Sequence, residues 1–107
     1  MNVTNVLERV PIHTDDHGVV RVAGTRVTLE TIVHAFETGA TAEEIAQQYP
    51  TVPLVDVYSV ITYFLRHKPE VEAYLKDREA LAERVREEAE RRFPSAGVRE
   101  RLLARRK

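Results

Sequence analysis

Histidine and acidic side chains lie close together in one short stretch, which is the first place to look for a metal site. His13 and His17 flank Asp15 and Asp16, and imidazole and carboxylate groups are zinc ligands in a chain without cysteine. A turn does not hold such side chains on one face, and the run from Asp15 to Gly18 is typical of a hairpin tip. We therefore interpret this stretch as a turn without a metal.

No other part of the sequence has the pattern of a catalytic site. The absence of cysteine excludes disulfides and thiol nucleophiles. The chain has no phosphate-binding glycine loop and no supportable Ser/His/Asp arrangement. Glu43 and Glu44 are explained by helix capping, and His34 and His67 lie on separate predicted helices. We predict a protein that is not an enzyme and takes no metal, cofactor or small-molecule substrate.

Two groups of arginines could bind an anion. Arg26 follows Gly24 and Thr25 just before a predicted helix, where it could hold a carboxylate or a phosphate; a salt bridge that joins the ribbon to a helix is the alternative. The last ten residues, as a helix, would present a cationic face beside an apolar edge. This pattern indicates a docking segment, with a solvated basic end as the alternative. Its residues are Val98, Arg99, Arg101, Leu102, Leu103, Arg105 and Arg106.

Charge is divided unevenly along the 107 residues, whose net charge is −1. Residues 1–65 hold three basic and eight acidic side chains, whereas residues 66–107 hold thirteen basic and nine acidic ones. Such asymmetry indicates two tasks within one small protein. No apolar run approaches the roughly 20 residues that cross a bilayer, and the first ten residues lack the order of a secretion signal. We therefore expect a cytoplasmic protein.

The apolar pattern predicts a short β-ribbon followed by helices. β-Branched residues broken by turn sequences over residues 10–28 predict two or three strands. Thr28 is a candidate helix cap, and Thr41 with Glu44 forms a capping box. Helices are expected from Leu29 to about Gly39, from Ala42 to Tyr49, from about Leu54 to His67, from Pro69 to about Arg92, and again at the C-terminal end.

The predicted fold is therefore mainly α with a short N-terminal β-ribbon. A trihelical, helix-turn-helix-like core, homeodomain-like or winged-helix-like, is followed by a long C-terminal helix and a short terminal helix. We divide the chain into an N-terminal arm (1–9), the ribbon and trihelical core (10–68), a long amphipathic helix (69–93) and a basic tail (94–107).

A helix-turn-helix pattern suggests DNA binding, with a trihelical bundle that binds no nucleic acid as the alternative. Arg26, Ser59, Thr62 and Arg66 are the candidate DNA-binding residues, although the third helix has no basic residue before Arg66. Apolar residues cover much of this helix beyond its expected core stripe of Leu54, Val57, Tyr58, Ile61, Phe64 and Leu65. We therefore predict a homodimer interface formed by Val20, Val22, Val60 and Tyr63.

Residues 18–67 run GVVRVAGTRVTLETIVHAFETGATAEEIAQQYPTVPLVDVYSVITYFLRH. This order of ribbon, Gly-Thr-Arg element, helices and Tyr-Pro stop resembles the domain of unknown function family 433 over about residues 12–75. The resemblance implies a prokaryotic, helix-turn-helix-like antitoxin whose partner is a small PIN-like ribonuclease, and it implies a dimer.

Our leading hypothesis is an antitoxin that neutralises a PIN-like ribonuclease and also binds its operator DNA as a dimer. PIN-like nucleases gather carboxylates around a divalent metal, so the arginine-rich tail of this chain could pair with those carboxylates. The alternatives are a stand-alone transcriptional regulator and a structural adaptor dimer, both without a toxin.

Overall fold

The computed structural model describes residues 6–92, which contain two strands and four helices. The strands are β1 (Ile12–Thr14) and β2 (Val20–Val22), and the helices are α1 (Leu29–Glu37), α2 (Ala42–Gln48), α3 (Leu54–Arg66) and α4 (Lys68–Arg92). The chain divides into two compact units after Lys68. The mainly α fold with an N-terminal ribbon and a long C-terminal helix is confirmed, whereas the predicted terminal helix and the whole basic tail (94–107) lie outside the described residues.

The two strands form an antiparallel ribbon in which Ile12 pairs with Val22 and Thr14 pairs with Val20. Asp15 organises the turn between them. Its carboxylate accepts hydrogen bonds from the backbone N–H groups of His17 at 2.8 Å and of Val19 at 3.0 Å, and from Arg21 Nε at 3.1 Å. The Val19 N–H contributes most to lowering the pKa of Asp15, and the His17 N–H and Arg21 add to the effect. The run from Asp15 to Gly18 is thus a hairpin tip, as predicted, and His13 lies within β1.

Local hydrogen bonds fix where the first two helices begin and end. Thr28 caps α1, and its Oγ1 accepts from the N–H of Thr31 at 3.3 Å. At α2, Thr41 Oγ1 accepts from the N–H of Glu44 while the Glu44 carboxylate accepts from the N–H of Thr41, both at 3.1 Å. Gly39, with φ of +102°, makes the left-handed turn that ends α1. The predicted caps are confirmed.

The core of residues 6–68 lies among α1, α2, α3 and the inner face of β2. Phe64 sits at its centre and meets Phe36 edge to face, with the ring centroids 6.4 Å apart. The other fully buried or nearly buried apolar residues of this unit are Val22, Leu29, Ile32, Val33, Ala42, Ile45, Val52, Val57, Val60 and Ile61.

Helix α3 buries a different arc of its surface from the one expected. The core face consists of Val57, Val60, Ile61 and Phe64, whereas Tyr58 and two further members of the predicted stripe, Leu54 and Leu65, are exposed. Because apolar residues cover so much of this helix, periodicity alone fits more than one arc. The contacts of α3 with both α1 and α2 select the arc that lies between those helices.

A side-chain hydrogen bond joins α2 to α3 at the surface of this unit. The Tyr58 hydroxyl donates a hydrogen bond to the Glu43 carboxylate. This contact lowers the pKa of Glu43 and raises the pKa of Tyr58, because it favours the ionised acid and the neutral phenol. Tyr58 therefore belongs to the surface of the unit, where its hydroxyl can meet a charged partner.

The second unit is represented by α4, a single helix of 25 residues. Surface ion pairs join Arg92 to Glu88 at 2.9 Å and Arg86 to Glu83 at 3.3 Å. Leu81 and Val85 are exposed on the same side of the helix. This part of α4 depends on ion pairs between side chains three or four residues apart, and it gains little stability from the burial of apolar side chains.

Candidate functional site

A groove of about 550 Å³ runs between the N-terminal arm and the outer face of α3. Ser59, Thr62 and Arg66 lie on the exposed side of α3 because their spacing of three and four residues keeps them on one face, away from the core. The lining residues are Val6, Glu8, Arg9 and Val10 of the arm, together with Ser59, Thr62, Tyr63, Arg66 and His67. The groove thus brings together three of the four residues predicted to bind DNA.

The two hydroxyl groups on α3 are already engaged as donors. Ser59 Oγ donates to the carbonyl of Val55 at 3.0 Å, and Thr62 Oγ1 donates to the carbonyl of Tyr58 at 2.8 Å. Each oxygen keeps lone pairs that can still accept a hydrogen bond. In this arrangement the hydroxyls are acceptors for an incoming N–H group.

Tyr63 and His67 close the end of the groove as a stacked pair. Their ring centroids are 4.4 Å apart and the ring planes differ by 25°. His67 Nδ1 lies 3.1 Å from the carbonyl oxygen of Tyr63. A carbonyl oxygen only accepts, so Nδ1 carries the proton in this contact and Nε2 is left for another partner.

Positive charge in the groove comes from two exposed arginines on different elements. Arg9 extends from the arm and Arg66 from the last turn of α3, and Glu8 is the acidic residue of the lining. Within residues 6–92, neither guanidinium has an ion-pair or hydrogen-bond partner. Two unpaired guanidinium groups beside acceptor hydroxyls form a surface suited to an extended anion with N–H groups nearby.

Comparison with known proteins finds a family model for the segment that supplies Ser59, Thr62 and Tyr63 to the groove. Residues 16–64 match the family model described as protein of unknown function (DUF433). These residues form a DUF433 domain. No curated protein and no solved structure matches the chain. The family resemblance seen in the sequence is thereby confirmed over residues 16–64.

The groove extends beyond the DUF433 domain at both ends. Ser59 and Thr62 lie within the matched residues, whereas Arg9 precedes them and Arg66 follows them. Sequence reasoning missed Arg9, and no local pattern marks it. Only the course of the arm along α3 places its guanidinium in the groove.

The Gly-Thr-Arg element of the DUF433 domain builds a turn. Thr25 Oγ1 donates to the carbonyl of Val22 at 2.7 Å and accepts from the N–H of Val27 at 3.1 Å, and Gly24 has φ of +65°. The carbonyl of Arg26 accepts a hydrogen bond from Arg21 Nη1 at 2.9 Å. The alternative prediction, a salt bridge from Arg26 to a helix, is not met among residues 6–92, where Arg21 instead forms an ion pair with Asp15.

The Arg26 side chain itself is exposed and does not line the groove. No ion pair or hydrogen bond of its guanidinium is found in the described part of the chain. The structure thus separates Arg26 from the other three residues predicted to bind DNA.

The predicted dimer interface needs correction. Val22 and Val60 are fully buried within a single chain, so neither side chain is available to a second copy. Val22 points into the core from β2, and Val60 lies on the core face of α3. Val20 is half-buried, and Tyr63 lines the groove beside His67. This set of four residues does not form one exposed surface.

No metal site is found among residues 6–92, where no group of three or more histidine and acidic side chains could hold an ion. The predicted ribonuclease-binding residues, Val98, Arg99, Arg101, Leu102, Leu103, Arg105 and Arg106, lie outside the described residues.

Proposed function

We propose that the chain is a DNA-binding regulator that contacts the duplex through the groove between its arm and α3. The observation that carries this proposal is the meeting of Arg9 and Arg66 in one groove with Ser59 and Thr62. Helices α2 and α3 follow the order and spacing of a helix-turn-helix, in which the second helix enters the major groove. The function is binding rather than catalysis.

The two kinds of side chain have different tasks in this proposal. Arg9 and Arg66 contact backbone phosphates, which gives affinity without sequence preference. Ser59 and Thr62 accept hydrogen bonds from base amino groups such as those of adenine and cytosine in the major groove. α3 has no amide or guanidinium before Arg66 that could read a base edge in two hydrogen bonds, so we expect modest sequence discrimination.

Affinity for DNA is expected to be weak in one copy. Residues 6–68 hold five basic and eight acidic side chains, and this excess of acid opposes the approach of phosphates. Two phosphate contacts give a slope of about −1.8 when the logarithm of the affinity is plotted against the logarithm of the salt concentration. A homodimer doubles the number of contacts, which is why we expect DNA binding as a dimer.

The test uses fluorescence anisotropy with a duplex from immediately upstream of the protein's own coding sequence and with a scrambled duplex. Arg9→Ala and Arg66→Ala should each weaken binding and lower the salt slope by about 0.9 for each phosphate that the variant no longer neutralises. Arg26→Ala is the matched control, because Arg26 is exposed but lies outside the groove. Equal effects of all three substitutions, or no binding to either duplex, would contradict the proposal.

A second candidate function is the neutralisation of a PIN-like ribonuclease, as in a toxin–antitoxin pair. It is favoured by the sequence of residues 93–107, where five basic residues and one acidic residue accompany Val98, Leu102 and Leu103. A cationic segment with apolar residues can cover an acidic metal site and an adjoining groove. Deletion of residues 95–107 should then abolish inhibition of the ribonuclease encoded beside it and leave the melting transition of the trihelical core unchanged.

The absence of such a neighbouring nuclease would favour the stand-alone regulator or an adaptor dimer. Among residues 6–92, no helix is long and apolar enough to span a bilayer. We propose a cytoplasmic location, which either candidate function requires, because operator DNA and a toxin beside its antitoxin are both reached there.

A further inference from the structure

The second half of α4 carries an apolar stripe that faces solvent. Leu81 is 42% exposed and Val85 is 58% exposed, and they lie four residues apart on one side of the helix. Ala82 and Ala89 extend the stripe along one edge, and both are exposed. A long helix with an uncovered apolar seam gains stability when another helix packs on it.

One flank of this stripe has a regular arrangement of charge. Glu70, Asp77, Arg84 and Arg91 recur every seven residues, a spacing that keeps them on the same side of the seam. The two acidic residues lie in the first half of α4 and the two basic residues in the second half. When two copies of the helix run antiparallel, the acidic half of this flank on one copy therefore faces the basic half on the other.

Between positions 75 and 89, the residues that form the other flank are all uncharged. This flank is formed at the same spacing by Leu75, Ala82 and Ala89. In a parallel helix pair the charged flank of one helix faces the opposite flank of its neighbour, so its charges would meet only apolar residues there. In an antiparallel pair, like flanks face each other, and acidic positions then meet basic ones.

We propose that a second copy of the chain packs its α4 antiparallel on this stripe. Asp77 then lies opposite Arg84 of the second copy, and Glu70 lies opposite Arg91. Because the arrangement has two-fold symmetry, each ion pair occurs twice. Leu81 of the two copies meets at the centre of the seam, and Val85 of each copy lies one turn further from the two-fold axis.

Charge complementarity also selects the occupant. The basic residues 93–107 of this chain would pair with the acidic half of the flank but would be repelled by Arg84 and Arg91. An acidic partner would be repelled by Glu70 and Asp77 in the same way. A second copy of α4 matches both halves. The small exposed apolar area predicts a dimer that dissociates on dilution into the low micromolar range.

The test is sedimentation velocity of the full chain, without DNA, over a dilution series. Asp77→Arg creates repulsion with Arg84 of the second copy, and Arg84→Asp creates repulsion with Asp77. Each variant alone should raise the dissociation constant of the dimer by about tenfold or more. An equimolar mixture of the two variants restores both opposite-charge pairs and should recover dimerisation at the wild-type concentration.

Matched controls carry the same charge changes on the far side of α4, where Glu90→Arg and Lys76→Asp should leave dimerisation unchanged. Far-UV circular dichroism checks that every variant keeps its helix. A monomeric wild-type chain at tens of micromolar, single variants that dimerise like wild type, or a mixture as weak as its components would each overturn the proposal. DNA binding plays no part in this experiment, so its result is separate from that of the proposed function.

Discussion

The replacement of Val60 by alanine tests whether this residue belongs to the core of a single chain or to an interface. Val60 is completely buried between α3 and the neighbouring helices. The substitution removes two methyl groups, each worth about 0.8 kcal/mol of transfer free energy, and leaves a cavity that adds to the cost. We expect the free energy of unfolding to fall by about 2 to 3 kcal/mol.

Val55 provides a control on the same helix with the same chemical change. It is 68% exposed, so its methyl groups are already largely in contact with water. Alanine also has the higher helix propensity, and we expect Val55→Ala to change the free energy of unfolding by less than about 0.5 kcal/mol. The two variants thus separate burial from helix propensity.

Urea denaturation followed by far-UV circular dichroism measures both values, and equal denaturant slopes show that the unfolding transition is unchanged. The difference between Val60→Ala and wild type should stay constant over a tenfold range of protein concentration. Equal losses for the two variants, or a loss at Val60 that shrinks on dilution, would refute the placement of Val60 in the core.

Three further substitutions test the local structure. Thr41→Ala removes the hydroxyl that accepts from the N–H of Glu44 and should lower stability by about 1 kcal/mol, whereas Thr41→Ser keeps this acceptor and should keep most of the stability. Gly39→Ala places a side chain at φ of +102° and should lower the free energy of unfolding by about 1 kcal/mol or more, which a lower melting temperature would show. The pKa of Asp15 is lowered in the folded state, so its ionised form stabilises the fold. This contribution is fully present at pH values above the ordinary aspartate pKa of about 3.9. It is lost as the pH falls through the lower pKa of the folded state. The stability difference between wild type and Asp15→Asn should therefore shrink on acidification from neutral pH, and a difference that is constant with pH would contradict the role of the Asp15 charge.

Features that depend on a few neighbouring residues could be predicted from the sequence. The turn at Asp15, the cap at Thr28 and the capping box at Thr41 are set by hydrogen bonds within six residues. Gly39 was recognisable because a left-handed turn after a helix favours a residue without a side chain. The same local signals predict the order of the strands and helices.

The candidate site was predictable only in part. The spacing of Ser59, Thr62 and Arg66 on one helix is enough to place them on one face. Arg26 looked equivalent in the sequence, because a glycine turn before a helix is a common anion site. In the structure, its carbonyl serves as an acceptor for Arg21 and its guanidinium lies away from the groove.

The sequence by itself determined the local elements, since capping, turn chemistry and helical periodicity act over a few residues and need no distant partner. Tertiary structure alone decided which side of α3 is buried, because Val60 and Tyr58 are both apolar enough for the core. Packing against α1 and α2 made the choice. Tertiary structure also brought Arg9 to Arg66, more than fifty residues apart in the chain, since only the path of the backbone determines which distant charges share a groove.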